Sequence, residues 1–121
     1  MIVVIDDDLS VREAVENLIA SEGLAVKSYS SAEQFIESRD FDSVSCVVTD
    51  IQMQGMSGTQ LQRYLLAIHC TVPVILMTAY FEESARREAT ACGAAAYLVK
   101  PFSSAALIGE IEKALSARDS P

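Results

Sequence analysis

Basic charge is scarce in this chain: 9 lysines and arginines stand against 17 acidic residues, for a formal net charge of −8. No stretch gathers Lys and Arg into a stripe, so the attraction to phosphate backbones on which nucleic-acid binding rests has no source here. No nucleic-acid partner is expected for this chain. Cysteine is also sparse. Cys46, Cys70 and Cys92 are odd in number, share no metal-ligand spacing and sit in or beside apolar segments, so they read as reduced core thiols of a protein in a reducing cytosol. No charged n-region precedes a long apolar run, and no run approaches the roughly 20 residues needed to cross a bilayer. The chain reads as soluble and cytoplasmic, without a membrane partner. Internal repeats and low-complexity tracts are missing, and no Gly-rich phosphate loop follows the first apolar segment.

What is present is a set of short apolar runs in a chain that is 50% hydrophobic over 121 residues, enough for one core without disulfide staples. Ile2–Ile5, Cys46–Val48, Val74–Met77 and Tyr97–Val99 read as strands buried on both faces, with Ala25–Tyr29 as a weaker alternating one. Helical patterns fall between them. Ser10-Val11-Arg12-Glu13 has the form of a capping box, followed by Val11, Ala14, Val15, Leu18 and Ile19 at helical spacing up to Gly23. Ser31 and Gln34 offer a second box before Phe35 and Ile36. Leu61, Leu65 and Ile68 mark a third helix that ends before Pro73. The fourth stretch, Glu82 to Cys92, has only Ala85, Ala89 and Cys92 on its inner stripe, so it should be the loosest; the fifth carries Leu107, Ile108, Ile111 and Leu115. Five strand-then-helix units with continuous apolar strands predict a doubly wound (βα)5 α/β domain, flavodoxin-like, with a five-stranded parallel sheet of order 2-1-3-4-5 and helices on both faces. One domain is expected over residues 1–117, with 118–121 a polar tail or the start of a linker.

The polar residues fall at the ends of the strands. Asp6 and Asp7 follow the first, Asp50 ends the third, Thr78 the fourth, and Lys100 follows the fifth. In an open parallel sheet these carboxyl ends share one edge, and ligands bind where the strand order reverses, here between strands one and three. Three carboxylates so close repel one another unless a cation intervenes, and Mg2+ or Mn2+ suits carboxylate oxygens together with phosphate oxygens. An Asp can attack phosphorus to give an aspartyl phosphate. A Lys ammonium and a Thr hydroxyl can serve the phosphoryl oxygens. Each of these residues alone has an ordinary reading: Asp caps helices and opens turns, a lone Lys is solvated, a strand-end Thr forms a turn. Asp8 keeps that reading, as an opener of the first helix. His69, at a helix end, is expected to stabilise the terminus as a cation.

Ile5-Asp6-Asp7-Asp8, Val47-Val48-Thr49-Asp50 with Met53 and Ser57-Gly58, Met77-Thr78-Ala79, and Tyr97-Leu98-Val99-Lys100-Pro101-Phe102 follow one another in order. Together they make the chain resemble the receiver domain of bacterial two-component response regulators over essentially its whole length. The resemblance implies Asp50 as the phosphorylation site, Asp7 and Asp50 as metal ligands with the backbone carbonyl of Gln52, and Asp6 acting through water. It further implies Thr78 and Lys100 as phosphoryl-binding groups, Tyr97 as the aromatic switch, and Lys100-Pro101 as a cis peptide. The implied partner is a sensor histidine kinase. The implied output is a change of the face formed by the fourth helix, fifth strand and fifth helix, through homodimerisation or a C-terminal effector domain, with transcription regulation as one outcome. The domain would be a switch with self-phosphorylation and autodephosphorylation chemistry only.

Two departures stand out. Gln54 occupies the position where the family commonly has Pro, removing a fixed φ angle from the loop after Asp50. Gln52 and Tyr80, each two residues past a site residue, are candidates to gate an attacking water, and bulky Tyr80 is expected to shield the phosphoryl group. The rival of another class is a Mg2+-dependent phosphohydrolase resembling the haloacid dehalogenases, with Asp6 as nucleophile and Asp8 as general acid. It needs a later acidic pair, and Glu110 and Glu112 lie two apart in a helical pattern, so they do not face one another. A flavodoxin-like cofactor binder and a scaffold without chemistry are weaker rivals.

Overall fold

Aliphatic runs without polar interruption suit strands covered on both faces, because a parallel sheet carries helices on each side. The computed structural model describes residues 1–119. In it β1 (Ile2–Ile5), β3 (Cys46–Asp50) and β4 (Val74–Thr78) are buried throughout, while β2 (Val26–Tyr29) and β5 (Ala96–Val99) form partly exposed edges. All pairings are parallel and the order is β2-β1-β3-β4-β5. With α1 (Leu9–Ser21), α2 (Ala32–Ser38), α3 (Gly58–Ala67), α4 (Glu83–Ala91) and α5 (Ser104–Asp119), this is the expected doubly wound architecture.

Alternate strand residues feed two cores. Ile2, Val4, Val48, Ile75 and Met77 meet Val15 and Ile19 of α1 and Leu107 and Ile111 of α5. Val3, Ile5, Val47 and Leu76 meet Phe35 of α2 and Leu61 and Leu65 of α3 on the other face. Each such fully buried aliphatic side chain contributes about 1.5–3 kcal/mol, which holds the carboxyl edge of the sheet rigid. Cys46 lies in the first core and Cys70 packs against the second, and no disulfide joins the cysteines.

The helix starts differ in part from the sequence reading. α1 begins at Leu9, and its cap is Asp8, whose Oδ1 accepts from the N–H groups of Ser10 at 3.0 Å and Val11 at 3.2 Å. The expected Ser10-Glu13 box is therefore not formed: an aspartate two residues earlier satisfies the same orphan donors and leaves Ser10 inside the first turn. Asp8 has the helix-opening role expected of it. Ser31 caps α2 as expected, but the Gln34 amide oxygen accepts from Ser30 instead of closing the box. The complete box belongs to α3, where Ser57 and Gln60 cap each other. α4 buries only Ala89 and has no side-chain cap, in line with its thin apolar stripe. It is tied to α3 by Gln62, whose Nε2 donates to the Ala89 carbonyl at 3.4 Å and the Cys92 carbonyl at 3.2 Å, and by an exposed Arg63–Glu88 ion pair. α5 continues through Asp119, two residues beyond the expected boundary at 117; Ser120 and Pro121 of the expected tail lie outside the described residues. Among the described residues no helix is long and apolar enough to cross a membrane.

Candidate functional site

Strand register does most of the placing. β1 and β3 are adjacent with Ile5 opposite Thr49, so the residues that follow at their carboxyl ends, Asp6 and Asp50, emerge side by side. One carboxylate oxygen from each of Asp6, Asp7 and Asp50 falls within a sphere in which none is more than 4.8 Å from another. Asp6 is completely buried and Asp50 nearly so, whereas Asp7 is exposed. Burial without compensation would be prohibitive for so much negative charge. Compensation comes from Lys100, carried past the end of β5, whose Nζ lies 3.3 Å from Asp6 Oδ2 and 3.6 Å from Asp50 Oδ2.

Each carboxylate has its own backbone support. Asp6 Oδ1 accepts from the Asp8 N–H at 2.9 Å, and its carbonyl accepts from Arg12 Nη1 at 2.8 Å. Asp7 Oδ2 accepts from the Gln54 N–H at 3.2 Å. Asp50 differs in its buried Oδ1, which has no hydrogen-bond partner among the described residues. Burial pushes the Asp50 pKa up; Lys100 pulls it back in part, and Asp6 and Asp7 push it further up through repulsion. A buried carboxylate oxygen left open beside two other carboxylates is a donor set that suits a hard cation, which supplies the positive charge Oδ1 lacks.

Thr78, at the end of β4, is fully buried. Its hydroxyl donates toward Gln52 Oε1 at 2.9 Å and the Tyr80 carbonyl at 3.1 Å, and accepts from the Tyr80 N–H at 3.0 Å. It makes no hydrogen bond to Asp50. The Gln52 side chain thus reaches the carboxyl edge of the sheet through Thr78. The Tyr80 side chain is turned out, 70% exposed, and touches the site through its backbone. Tyr97 is half-buried, with its ring edge-on to Phe81 at 6.3 Å between centroids. Lys100-Pro101 is a cis peptide, as expected, and the Lys100 N–H donates to the Thr78 carbonyl at 2.7 Å. Gly58, the first residue of α3, lies so close to the Asp50 backbone that a Cβ there would come within 2.4 Å of the Asp50 carbonyl oxygen. The Asp50 backbone is thus backed closely by the start of α3.

Asp6, Asp7, Asp50, Thr78 and Lys100 come together at the carboxyl edge of the sheet, Gln52 joins them through a side-chain bond to Thr78 that the sequence reading did not expect, and Tyr97 stands one strand away. Asp8 faces its helix, with its carboxylate already engaged as a cap, which removes the general acid from the hydrolase reading. Glu110, half of the later acidic pair, bonds with Lys113 on α5. Arg12 and the Gln54 backbone were not anticipated. Arg12 carried no signal beyond its place in the first turn of α1, and a backbone N–H leaves no trace in side-chain patterning.

Residues 2–112 match the family described as the response regulator receiver domain. The chain is 40% identical over 112 residues to the transcriptional regulatory protein FixJ of Azorhizobium caulinodans, covering 93% of this chain and 53% of that protein. It is 33% identical over 115 residues to the response regulator protein TodT of Pseudomonas putida, covering 95% and 51%. The chain thus spans about half the length of these curated relatives. Among solved structures, response regulator StyR superposes with a TM-score of 0.89 at 39% identity, covering 96% of this chain and 59% of that one. FixJ-N superposes at 0.85 with 32% identity, covering 95% and 92%. The chain belongs to the receiver-domain family of two-component response regulators, signalling domains rather than typical enzymes.

Proposed function

We propose that the domain takes a phosphoryl group onto Asp50 from a sensor histidine kinase, or from a small phosphodonor, in the cytoplasm. The observation that carries this is Asp50 Oδ1: buried, without a donor, and flanked by Lys100 and two further carboxylates. Asp50 attacks phosphorus, the bond to the donor's nitrogen or oxygen breaks, and the leaving group departs with its electron pair, so no proton need move at Asp50 itself. Lys100 neutralises charge on the incoming group. Asp7, Asp50 and the Gln52 backbone carbonyl, with Asp6 through water, would hold Mg2+ or Mn2+, which when bound offsets charge on the phosphoryl oxygens.

The Thr78 hydroxyl has one proton, shared in this structure between Gln52 Oε1 and the Tyr80 carbonyl. Phosphoryl oxygens at Asp50 compete for that proton. When Thr78 turns to them, the space it leaves lets Tyr97 turn inward, displacing its edge contact with Phe81. The face of α4, β5 and α5 then changes, because α4 buries little and is the cheapest element to shift. That face would drive homodimerisation or act on a C-terminal effector domain, with transcription regulation as an outcome suggested by the transcriptional regulator FixJ. The receiver unit is proposed to span 1–117. Tyr80 would slow hydrolysis by folding its ring back over the phosphoryl group, and Gln52 would orient or exclude the attacking water.

The test is to trap the acyl phosphate. After incubation with acetyl phosphate and Mg2+, borohydride reduction should place the modified residue at Asp50 in peptide maps. A label at Asp6, retained in Asp50→Asn, would favour the hydrolase reading instead.

A further inference from the structure

Position 54 is where the family commonly has Pro and this chain has Gln. The difference acts through the backbone: the Gln54 N–H, which a proline would lack, donates to Asp7 Oδ2 at 3.2 Å. Asp7 is the exposed member of the acidic trio and, among the described residues, has no other donor to orient it, unlike Asp6, which also meets Lys100. The loop bearing Gln54 is itself held at both ends. Downstream, the Gly58 N–H donates to the Ile51 carbonyl at 3.1 Å. In between, the Met56 N–H meets both carboxylate oxygens of Glu33, at 3.3 and 3.2 Å, from the first turn of α2. Gly55 adopts φ +77°, where a side chain is strained, and a Cβ there would come within 3.2 Å of the Glu33 carboxyl carbon and closer still to Oε2, so a larger residue at 55 would push the Glu33 carboxylate aside.

We propose that the Gln54 backbone N–H positions the Asp7 carboxylate for the divalent cation, with Glu33 of α2 holding the loop that presents this N–H. The inference rests on the reading of Asp6, Asp7 and Asp50 as the cation site. A metal-ligating carboxylate whose second oxygen is hydrogen-bonded is held in one orientation, leaving the other oxygen for the cation. Losing such a partner typically lowers metal affinity about 10- to 100-fold. In this chain the loop is held by hydrogen bonds from the N–H groups of Gln54, Met56 and Gly58, the first of them to Asp7 itself. Glu33 is thereby a positioning residue: it touches neither cation nor phosphoryl group.

The experiment is isothermal titration of Mg2+ and Mn2+ into the wild-type chain and four variants, each checked for folding by thermal melting. Gln54→Ala keeps the N–H and should bind within about 2-fold of wild type, whereas Gln54→Pro removes it and should bind roughly 10-fold more weakly. Glu33→Ala frees the loop without touching the acidic trio and should weaken binding to a lesser degree; Glu33→Gln keeps an acceptor for Met56 and should restore it. Equal affinities for Gln54→Pro and Gln54→Ala would overturn the inference, as would a loss in Gln54→Ala as large as in Gln54→Pro. If all variants match a wild type that binds metal, only this inference falls. If the wild type binds neither ion, the cation site and this inference fall together.

Discussion

Replacing Gln52 with Ala should make the domain easier to switch on. In the resting geometry the single Thr78 hydroxyl proton is shared between Gln52 Oε1 at 2.9 Å and the Tyr80 carbonyl at 3.1 Å. Binding of a phosphoryl group to Thr78 must break the shorter of these. A typical net hydrogen bond is worth about 0.5–1.5 kcal/mol. The Tyr80 carbonyl remains as an acceptor in the variant, so the stabilisation lost from the resting state is put near the middle, ~1 kcal/mol, or roughly a 5-fold shift in the equilibrium. The assay is titration with beryllofluoride, a phosphoryl mimic, at saturating Mg2+, followed through the amide resonances of Thr78 and Tyr97. Gln52→Ala should bind about 5-fold more tightly than wild type by this reasoning. Mg2+ affinity, read separately, reports on the Gln52 backbone carbonyl, which the substitution keeps. Tighter beryllofluoride binding with unchanged Mg2+ affinity is the expected result. Equal or weaker binding of the mimic, with Mg2+ affinity intact, would refute the idea that Gln52 restrains Thr78.

Three further outcomes are expected. Tyr80→Ala should lose phosphate from Asp50 faster than wild type in a single-turnover decay, and an unchanged rate would remove the proposed shield. Hydrogen exchange in peptides spanning residues 90–102 should change on adding beryllofluoride, because α4 has only Ala89 buried and no side-chain cap; unaltered exchange there would rule out the proposed output face. Asp50→Asn should raise the melting temperature at pH 7.5, and the gap should close as pH falls. The sign follows from the raised Asp50 pKa: the folded state prefers the protonated acid, so ionisation costs stability as pH rises from the unfolded pKa through the folded one. A gap that widens toward pH 4 would contradict this.

The architecture could be read from the sequence because strands and helices announced themselves by different periods. Continuous runs such as Val47-Val48 and Ile75-Leu76 admit no amphipathic alternation, and Leu107, Ile108 and Ile111 recur at helical spacing. Once the sheet is parallel and ordered, strand ends alone bring Asp6, Asp50, Thr78 and Lys100 to one edge. Helix caps were less legible, since Asp8 and Ser10 are both good cap residues and only the strand-to-helix turn decides between them. The Ser57-Gln60 box lay hidden next to the more conspicuous Ser57-Gly58 motif. Least legible were contacts made by backbone or by amide side chains across the chain. Gln52 to Thr78 and Gln54 to Asp7 join residues far apart in sequence, and nothing in local pattern or composition encodes them.

The central claim is that Asp50 is the phosphoryl acceptor. Intact-mass spectrometry after incubation with acetyl phosphate and Mg2+ addresses it most directly. The wild-type chain should gain the mass of one phosphoryl group, lose the gain when Mg2+ is chelated beforehand, and show no gain in Asp50→Asn. A full gain in Asp50→Asn, or none in the wild-type chain with Mg2+ present, would contradict it.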